Sequence, residues 1–369
     1  MTRATCPALA AIAVLGVVSN AFGQETSRWE DFTVCLDCQL RLTEEVRLGD
    51  PDGEGIVESA FPQVVWSEMG YFLYHRGAPG VKLFGHDGRF VRSIGRSGEG
   101  PGEFSQSVHG VQVIGDRILV NDYRRRAFVV FNEAGDHLGE IVYGFKTGDF
   151  VSVGTNRVII FSMDQSSDLV GYPLHLVDVS PDDGRTPPVH FGTRNPNSWS
   201  ARIPWGEFIL GSVVSGSTVW WANAGGPRVQ EWSAEGEHLR TIEGELPWFK
   251  TITELIPDPS KPPASKMSAF AVGGDDHAWM LTNQPDEGWV DVPRVEGGFY
   301  EKDIDKYSDS RLDVFDLHAQ RHLGSYTWDS GVVMLVDYGA GAGDRVRISV
   351  PHFNDAMVPQ VVIYRADWR

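Results

Sequence analysis

The chain of 369 residues repeats one strand-turn-strand pattern. An apolar strand ends in an aromatic residue, a short polar turn with a glycine follows, and a second apolar strand leads away. The pattern occurs as Val81–Phe84 turning at Gly88, and again as residues 129–131 turning at Gly135. Weaker copies begin at Leu174, Val229, Leu312 and Val361. Repeats at a period of roughly 40–50 residues are typical of propeller blades.

The number of strands indicates how the repeats close into a ring. Each copy follows two further apolar runs of strand length, bounded by Gly, Asn, Asp or Ser, so each repeat has four strands. The last repeat lacks one strand, and the alternating segment at residues 40–49 supplies it. Such closure leaves few free sheet edges. The sequence therefore predicts an all-β, six-bladed β-propeller in which an N-terminal strand completes the C-terminal blade.

The N-terminus reads as an export signal. Arg3 precedes an uncharged apolar run at residues 8–18, and Ala21 and Gly23 are small residues at the positions that a signal peptidase reads. The run is too short to span a bilayer, and no later segment is a candidate span. We expect a signal peptide at residues 1–23 and a single propeller domain at residues 24–369, located in the periplasm or outside the cell. A retained N-terminal anchor is the alternative.

The formal net charge of −18 limits the classes of partner. An acidic surface repels phosphate backbones and anionic lipid heads, so we expect neither nucleic acid binding nor membrane insertion. Residues 124–126 are three consecutive arginines and form the one basic cluster, which is too small to reverse the overall charge. We expect a monomer that binds a protein, peptide or glycan ligand.

Two cysteines remain after signal cleavage. Cys35 and Cys38 have no other cysteine to pair with in the mature chain, and an oxidising compartment favours a local disulfide between them. A redox-active pair is the alternative.

One repeat resembles a known family. Its motif consists of residues 95–104, Gly110-Val111, residues 120–122, Arg126, Val130, Phe131 and Gly135. This motif resembles an NHL repeat, and the mature chain is similar to exported bacterial six-bladed propellers related to NHL and TolB-like proteins. The resemblance implies a binding platform, although a few NHL-related propellers are metal-dependent lyases or lactonases. Asp122 and Arg126 match the acidic and basic positions of the repeat, where a hydrogen bond or ion pair that stabilises the blade is expected.

The start of each innermost strand is the first candidate site, because propellers bind ligands at a channel mouth. His109, Asp149 and Glu207 occupy such positions. The resemblance to amidating lyases implies a metal-binding histidine at this position in several blades, but only His109 is present, and a catalytic zinc needs about three protein ligands. We therefore predict no metal site, no cofactor and no catalytic residue. The alternative is a hydrolase or lyase with a divalent metal such as Ca or Zn in the central channel.

The second candidate site is an insertion in the fifth repeat, at about residues 285–310. It contains Trp289, Phe299 and Tyr300 among acidic residues, a composition that suits protein or sugar contacts. Long insertions in a regular scaffold are often binding loops. A loop that only packs on its own blade is the alternative.

Overall fold

The structure is a computed structural model. It describes residues 25–49, 55–57, 62–75, 80–105, 108–145, 147–162, 173–181, 186–192, 209–214, 218–223, 225–251, 262, 264–273, 275–286, 289, 308–336, 346–353 and 358–368. Within these residues the regular elements are β-strands and one short 3₁₀ turn, Trp29–Asp31. None of the described residues forms a helix long and apolar enough to cross a bilayer.

Six four-stranded antiparallel sheets form the blades of the ring. We number the blades one to six along the chain and label the strands of each blade A to D in sheet order. The A strands of neighbouring blades contact each other, so they line the central channel. The predicted six-bladed β-propeller is confirmed.

The strands of the first three blades are short and closely spaced along the chain. Blade one contains Gln63–Ser67, Gly70–Tyr74, Val81–Phe84 and Phe90–Ile94. Blade two contains Val108–Ile114, Arg117–Asp122, Ala127–Asn132 and His137–Val142. Blade three contains Thr147–Val153, Arg157–Ser162, Leu174–Asp178 and Val189–Phe191. Between blades one and two, Arg96–Ser97 pairs in parallel with Glu103–Phe104.

The second half of the ring follows the same order. Blade four contains Ile209–Val214, Thr218–Asn223, Val229–Ser233 and His238–Glu243. Blade five contains Lys266–Val272, His277–Pro285, Ser308–Asp316 and Arg321–Trp328. Blade six contains Met334–Leu335, Val346–Phe353, Pro359–Trp368 and, as its D strand, Leu40–Leu48.

The N-terminal strand closes the ring as predicted. Leu40–Leu48 pairs antiparallel with Pro359–Trp368, from Leu40 opposite Trp368 to Leu48 opposite Val361. Its alternating burial places one side against the core and the other toward solvent, as the alternating sequence requires.

The segment before this strand forms a strap that the sequence did not predict. We call residues 25–39 the N-terminal strap. Glu25–Arg28 adds in parallel to the D strand of blade four, and Thr33–Val34 adds in parallel to the D strand of blade five. Between them, Trp29 is 2% exposed, donates its Nε1–H to the Pro227 carbonyl at 2.5 Å, and packs 4.8 Å from the Phe315 ring. The strap therefore anchors to blades four and five through both its backbone and one buried indole.

Cys35 and Cys38 form a disulfide at the end of the strap. The Cys35 N–H donates to the His322 carbonyl at 2.9 Å, and both cysteines pack against the apolar cluster between blades five and six. The bond therefore lies where the strap leaves blade five and becomes the outer strand of blade six.

The core consists of six apolar clusters, one between each pair of adjacent blades. Strand B of blade two shows the reason for its sequence pattern. Ile118 and Val120 face blade one, while Leu119 between them faces blade three. Because both sheet faces are buried, inner strands are continuous apolar runs rather than alternating ones.

Candidate binding site at the channel mouth

Chain direction places several loops on one face of the ring. In each blade, strands A and C start at this face and strands B and D return to it, because neighbouring strands are antiparallel. We call it the upper face. It carries the starts of the A strands, the B–C connections and the connectors between blades. The two sequence-predicted sites, at the A-strand starts and in the blade-five insertion, therefore share one face.

The A strands of three blades are irregular near the upper face. The pairing of strands A and B shifts between Val108 and Val111 in blade two, between Thr147 and Phe150 in blade three, and between Met267 and Ala269 in blade five. Such bulges redirect side chains and are frequent beside functional sites. The bulged segments contain His109 and Asp149, two of the predicted site residues.

Ionisable residues of the described A strands are confined to this end. They are His109, Asp149 and Lys266, each within or next to a bulge. Further along the channel the A strands carry apolar residues and neutral polar ones such as Gln112 and Ser152. Among the described residues, the ionisable positions of the channel-lining strands therefore lie at the mouth of the channel.

The position of His109 is set by stacking on an aromatic ring and by the close approach of the Gly110 backbone to Phe150. Its ring stacks on Tyr123, with centroids 4.3 Å apart and an interplanar angle of 14°. A Cβ at the adjacent Gly110 would lie 2.9 Å from the Phe150 ring, so the bulge requires glycine there. Both stacked rings are half-buried, which leaves part of this aromatic pair accessible.

Asp122 fixes the B–C turn that carries Tyr123. Its carboxylate is fully buried and accepts hydrogen bonds from Ser105 N–H at 2.9 Å and Ser105 Oγ–H at 2.9 Å. It also accepts hydrogen bonds from the backbone N–H groups of Arg124 and Arg125, both at 3.1 Å. The carboxylate thus ties the turn to the connector from blade one, the stabilising role that the sequence predicted.

The last two arginines of the same turn have different partners. Arg125 Nε lies 3.6 Å from Asp122, and Arg125 Nη1 lies 2.6 Å from Glu140. Arg126 has a left-handed backbone (φ 56°), and its guanidinium donates to the Gly144 carbonyl at 3.2 Å. Arg126 thus contributes a hydrogen bond at the end of strand D, in keeping with the blade-stabilising bond expected at this position, while Arg125 carries the ion pairs of the turn.

The connector before blade two also has a fixed acidic residue. A hydrogen bond from the Gly100 N–H, followed by one from the Arg96 guanidinium, holds the pKa of Glu103 below its ordinary value. Glu103 thus favours its charged form and anchors the glycine-rich connector rather than serving as a proton donor.

The base of the blade-five insertion is acidic. The insertion leaves strand B at Pro285 and joins strand C at Ser308, and the backbone N–H of the half-buried Trp289 donates to the Asp286 carbonyl at 3.2 Å. Carboxylate oxygens of Asp286, Asp309 and Asp329 all lie within 4.8 Å of one another. Oxygen ligands of this kind suit hard cations such as Ca²⁺.

Sequence reasoning missed this acidic cluster. The three aspartates lie at the upper ends of three strands of blade five: Asp286 follows strand B, Asp309 is near the start of strand C, and Asp329 follows strand D. Only the register between these strands brings them together. They belong to strands B, C and D and not to the channel-lining strand A, which separates them from the predicted alternative metal position. A correct assignment of the strand ends from the sequence would have placed these three aspartates at the same edge of blade five.

Three predicted site residues lie outside the described residues: Glu207, Phe299 and Tyr300. Asp149 is placed only by its backbone in the bulge of blade three. The structure brings His109 and Asp149 to adjacent A strands and places Trp289 at the base of the insertion on the same face.

Comparisons with known proteins agree with the fold. A family model described as a 6-bladed beta-propeller, DUF5128, matches residues 62–170. Among solved structures, a proposed exported protein of Bacteroides fragilis is 11% identical with a TM-score of 0.59, covering 93% of this chain and 99% of that chain. A member of the DUF4221 family from Bacteroides vulgatus is 10% identical with a TM-score of 0.58, covering 90% and 99%.

A more distant likeness is to a gluconolactonase from Xanthomonas campestris, 12% identical with a TM-score of 0.48, covering 88% of this chain and 90% of that chain. That score is too low for the likeness to bear on function. The sequence has no significant match among curated proteins. The comparisons therefore support the propeller fold and leave the activity to be argued from the site.

Proposed function

We propose that this protein is an exported, non-catalytic propeller that binds a protein, peptide or glycan through the upper face. The observation that carries the proposal is the shared face: the blade-five insertion opens on the same side as the bulged A strands of blades two, three and five. Channel mouths are frequent ligand sites, and long insertions in a regular scaffold are often binding loops.

The chemistry of the mouth favours binding over metal catalysis. The described A strands offer one imidazole, one carboxylate and one amine, from His109, Asp149 and Lys266. Channel catalysis by zinc would need about three converging ligands. A stacked His109–Tyr123 pair is instead a surface on which a ligand ring can pack.

Further parts of the proposal rest on composition and the N-terminal segment. The signal-like residues 1–23 support export to the periplasm or beyond the cell, and the net charge of −18 supports a ligand other than nucleic acid. We propose that the protein acts as a monomer without a cofactor.

The first test screens the purified protein on glycan and peptide arrays. Replacing residues 286–307 with a short Gly-Ser linker is expected to weaken the strongest array signal by at least about tenfold. The matched control is Glu133→Ala with Asp136→Ala in the C–D turn of blade two, on the opposite face. Undiminished binding after the deletion would remove the insertion from the proposal.

The second test is elemental analysis of the purified protein. The alternative, a metal-dependent hydrolase or lyase, predicts a stoichiometric divalent ion that is lost in His109→Ala. That result would overturn the non-catalytic proposal, whereas a metal content independent of His109 would support it.

A further inference from the structure

We propose that the upper end of blade two binds a carboxylate attached to a ring, with Arg124 as the cationic anchor and the His109–Tyr123 pair as the packing surface. An acidic sugar and an aromatic acid share this chemistry. The inference rests on the proposed function, since it takes the upper face as the binding face, and it specifies the ligand class that the face accepts.

The three consecutive arginines of the blade-two turn have different partners. Arg125 is neutralised by Glu140 at 2.6 Å and Asp122 at 3.6 Å, and its side chain is only 15% exposed. The Arg126 guanidinium donates a hydrogen bond to the Gly144 carbonyl. Arg124 is exposed, and its side chain forms no hydrogen bond or ion pair with the residues that the structure describes. Arg124 is therefore the member of the cluster whose side chain has no partner among the described residues, and we take it as the anchor for an external anion.

The backbone that carries Arg124 is already ordered. The Asp122 carboxylate accepts the N–H of Arg124 and the N–H of Arg125, and Asp122 itself is held by Ser105. A ligand bound by Arg124 would order one side chain rather than a loop, which lowers the entropic cost of binding. The planar guanidinium can then form two parallel hydrogen bonds to a carboxylate.

Tyr123 brings the packing surface into the same turn as this cation. Tyr123 immediately precedes Arg124 in the turn, and its ring stacks on His109 at 4.3 Å. The bulge and the close approach of Gly110 to Phe150 fix the backbone that presents His109. A ligand that carries a carboxylate next to a flat or ring-shaped group matches a cation next to an aromatic pair.

Isothermal titration calorimetry tests the inference with D-glucuronate, benzoate, acetate and D-glucose as probes. We expect the wild-type protein to bind at least one carboxylate, and to bind glucose at least about tenfold more weakly, since a charge-assisted hydrogen-bond pair is lost. Arg124→Gln is expected to weaken carboxylate binding by about tenfold or more. Tyr123→Ala is expected to reduce the preference for benzoate or glucuronate over acetate.

Arg89→Gln is the matched control. Arg89 also lies in a polar turn and its side chain is 87% exposed, but this C–D turn of blade one is on the opposite face. Its replacement should leave carboxylate binding within about twofold, a change too small for a lost contact. An unchanged thermal midpoint in Arg124→Gln would show that the variant folds.

The source of the carboxylate follows from which probe binds more tightly. Preference for glucuronate supports an acidic sugar, and preference for benzoate supports an aromatic acid. Failure of both carboxylates to bind at their solubility limits would overturn the inference, as would equal weakening by Arg124→Gln and Arg89→Gln. If array binding still depended on residues 286–307, this failure would leave the proposed function intact, so the two can be distinguished.

Discussion

The two halves of the ring differ in how their outer edges are held. In blades four and five, the D strands pair with the strap strands Glu25–Arg28 and Thr33–Val34. In blades one to three, the D strands have no outer partner among the described strands, and they expose Val91, Leu138, Val142 and Val189. The difference shows that one continuous segment, residues 25–48, connects three blades from outside, whereas the other three rely on the interfaces between blades.

This asymmetry has a physical reason. A strand added to a sheet edge satisfies backbone groups that otherwise bond only to water, and it also covers an edge that could pair with another chain. In the strap this backbone pairing is combined with the burial of Trp29 and the local disulfide. The strap-held half should therefore respond to mutations in the N-terminal segment, although that segment is remote from blade four in sequence.

The largest expected effect comes from the strap anchor. Trp29→Ala should lower the free energy of unfolding by about 3–5 kcal/mol, because it leaves a cavity beside Phe315 and removes the bond to the Pro227 carbonyl. Urea denaturation measures this change. Leu138→Ala, at a 56% exposed position of the free edge, should change the free energy by no more than about 0.5 kcal/mol. Equal effects at the two sites would refute the asymmetry.

The second prediction concerns the half without the strap. Asp122→Ala should cost roughly 2–3 kcal/mol, because the part-buried N–H groups of Ser105, Arg124 and Arg125 lose the fully buried carboxylate that accepts them. Ser105→Ala removes only the hydroxyl hydrogen bond to the same carboxylate and should cost about 1 kcal/mol. Unfolding curves of the two variants give the comparison. An Asp122→Ala variant as stable as the wild type would show that this turn does not hold blade two.

A smaller effect is expected from the disulfide. The bond closes a very short loop, so replacing Cys35 and Cys38 by serine should cost about 2 kcal/mol through the entropy of the unfolded chain. Chemical denaturation of oxidised wild type and of the double variant measures the cost. A catalytic redox pair predicts instead that the bond cycles against a glutathione buffer, and this cycling would contradict a purely structural role.

The smallest effect is a pH dependence that should be present in both halves. Burial lowers the pKa of His190 in blade three below 6.5, and burial is also the main cause of the lowered pKa of His238 in blade four. The folded state then binds fewer protons than the unfolded state, so this stability is present above about pH 6.5 and is lost as pH falls toward the lowered pKa.

His190→Gln and His238→Gln should each flatten the pH profile of the thermal midpoint between pH 7 and about pH 5. His190 Nδ1 lies 2.5 Å from Nδ1 of the fully buried His175, a geometry in which only one of the two nitrogens can carry the proton. A profile unchanged by His190→Gln would mean that this pair does not titrate in the acid range.

Most of the blade architecture could be predicted from the sequence because its signals are local. Gly88 and Gly135 mark turns at positive φ, and the strand pattern around each repeats with the blade. Leu40–Leu48 could be assigned because its alternating pattern matched the strand that the last blade lacked. The strap could not be assigned in this way, because the four-residue and two-residue strands carry no apolar periodicity.

The candidate site was only partly predictable for a similar reason. His109 and Asp149 stood at strand starts, so their position could be read from the repeat. The bulges that contain them, and the meeting of Asp286, Asp309 and Asp329, depend on the register between strands. The placement of Arg125 beside Asp122, and of Arg126 beside Gly144, depends on the turn backbone, which is left-handed at Arg126.

By itself the sequence determined the number of blades, the all-β fold and the strand that closes the ring, because strand period, turn residues and repeat length are properties of neighbouring residues. Only the tertiary structure decided that the N-terminal strap crosses the outer edges of blades four and five, and that the channel mouth, the arginine turn and the blade-five insertion share one face. These features depend on edges and faces that exist only after the ring has closed. They result from the packing of segments that are distant in the chain, which local sequence patterns do not specify.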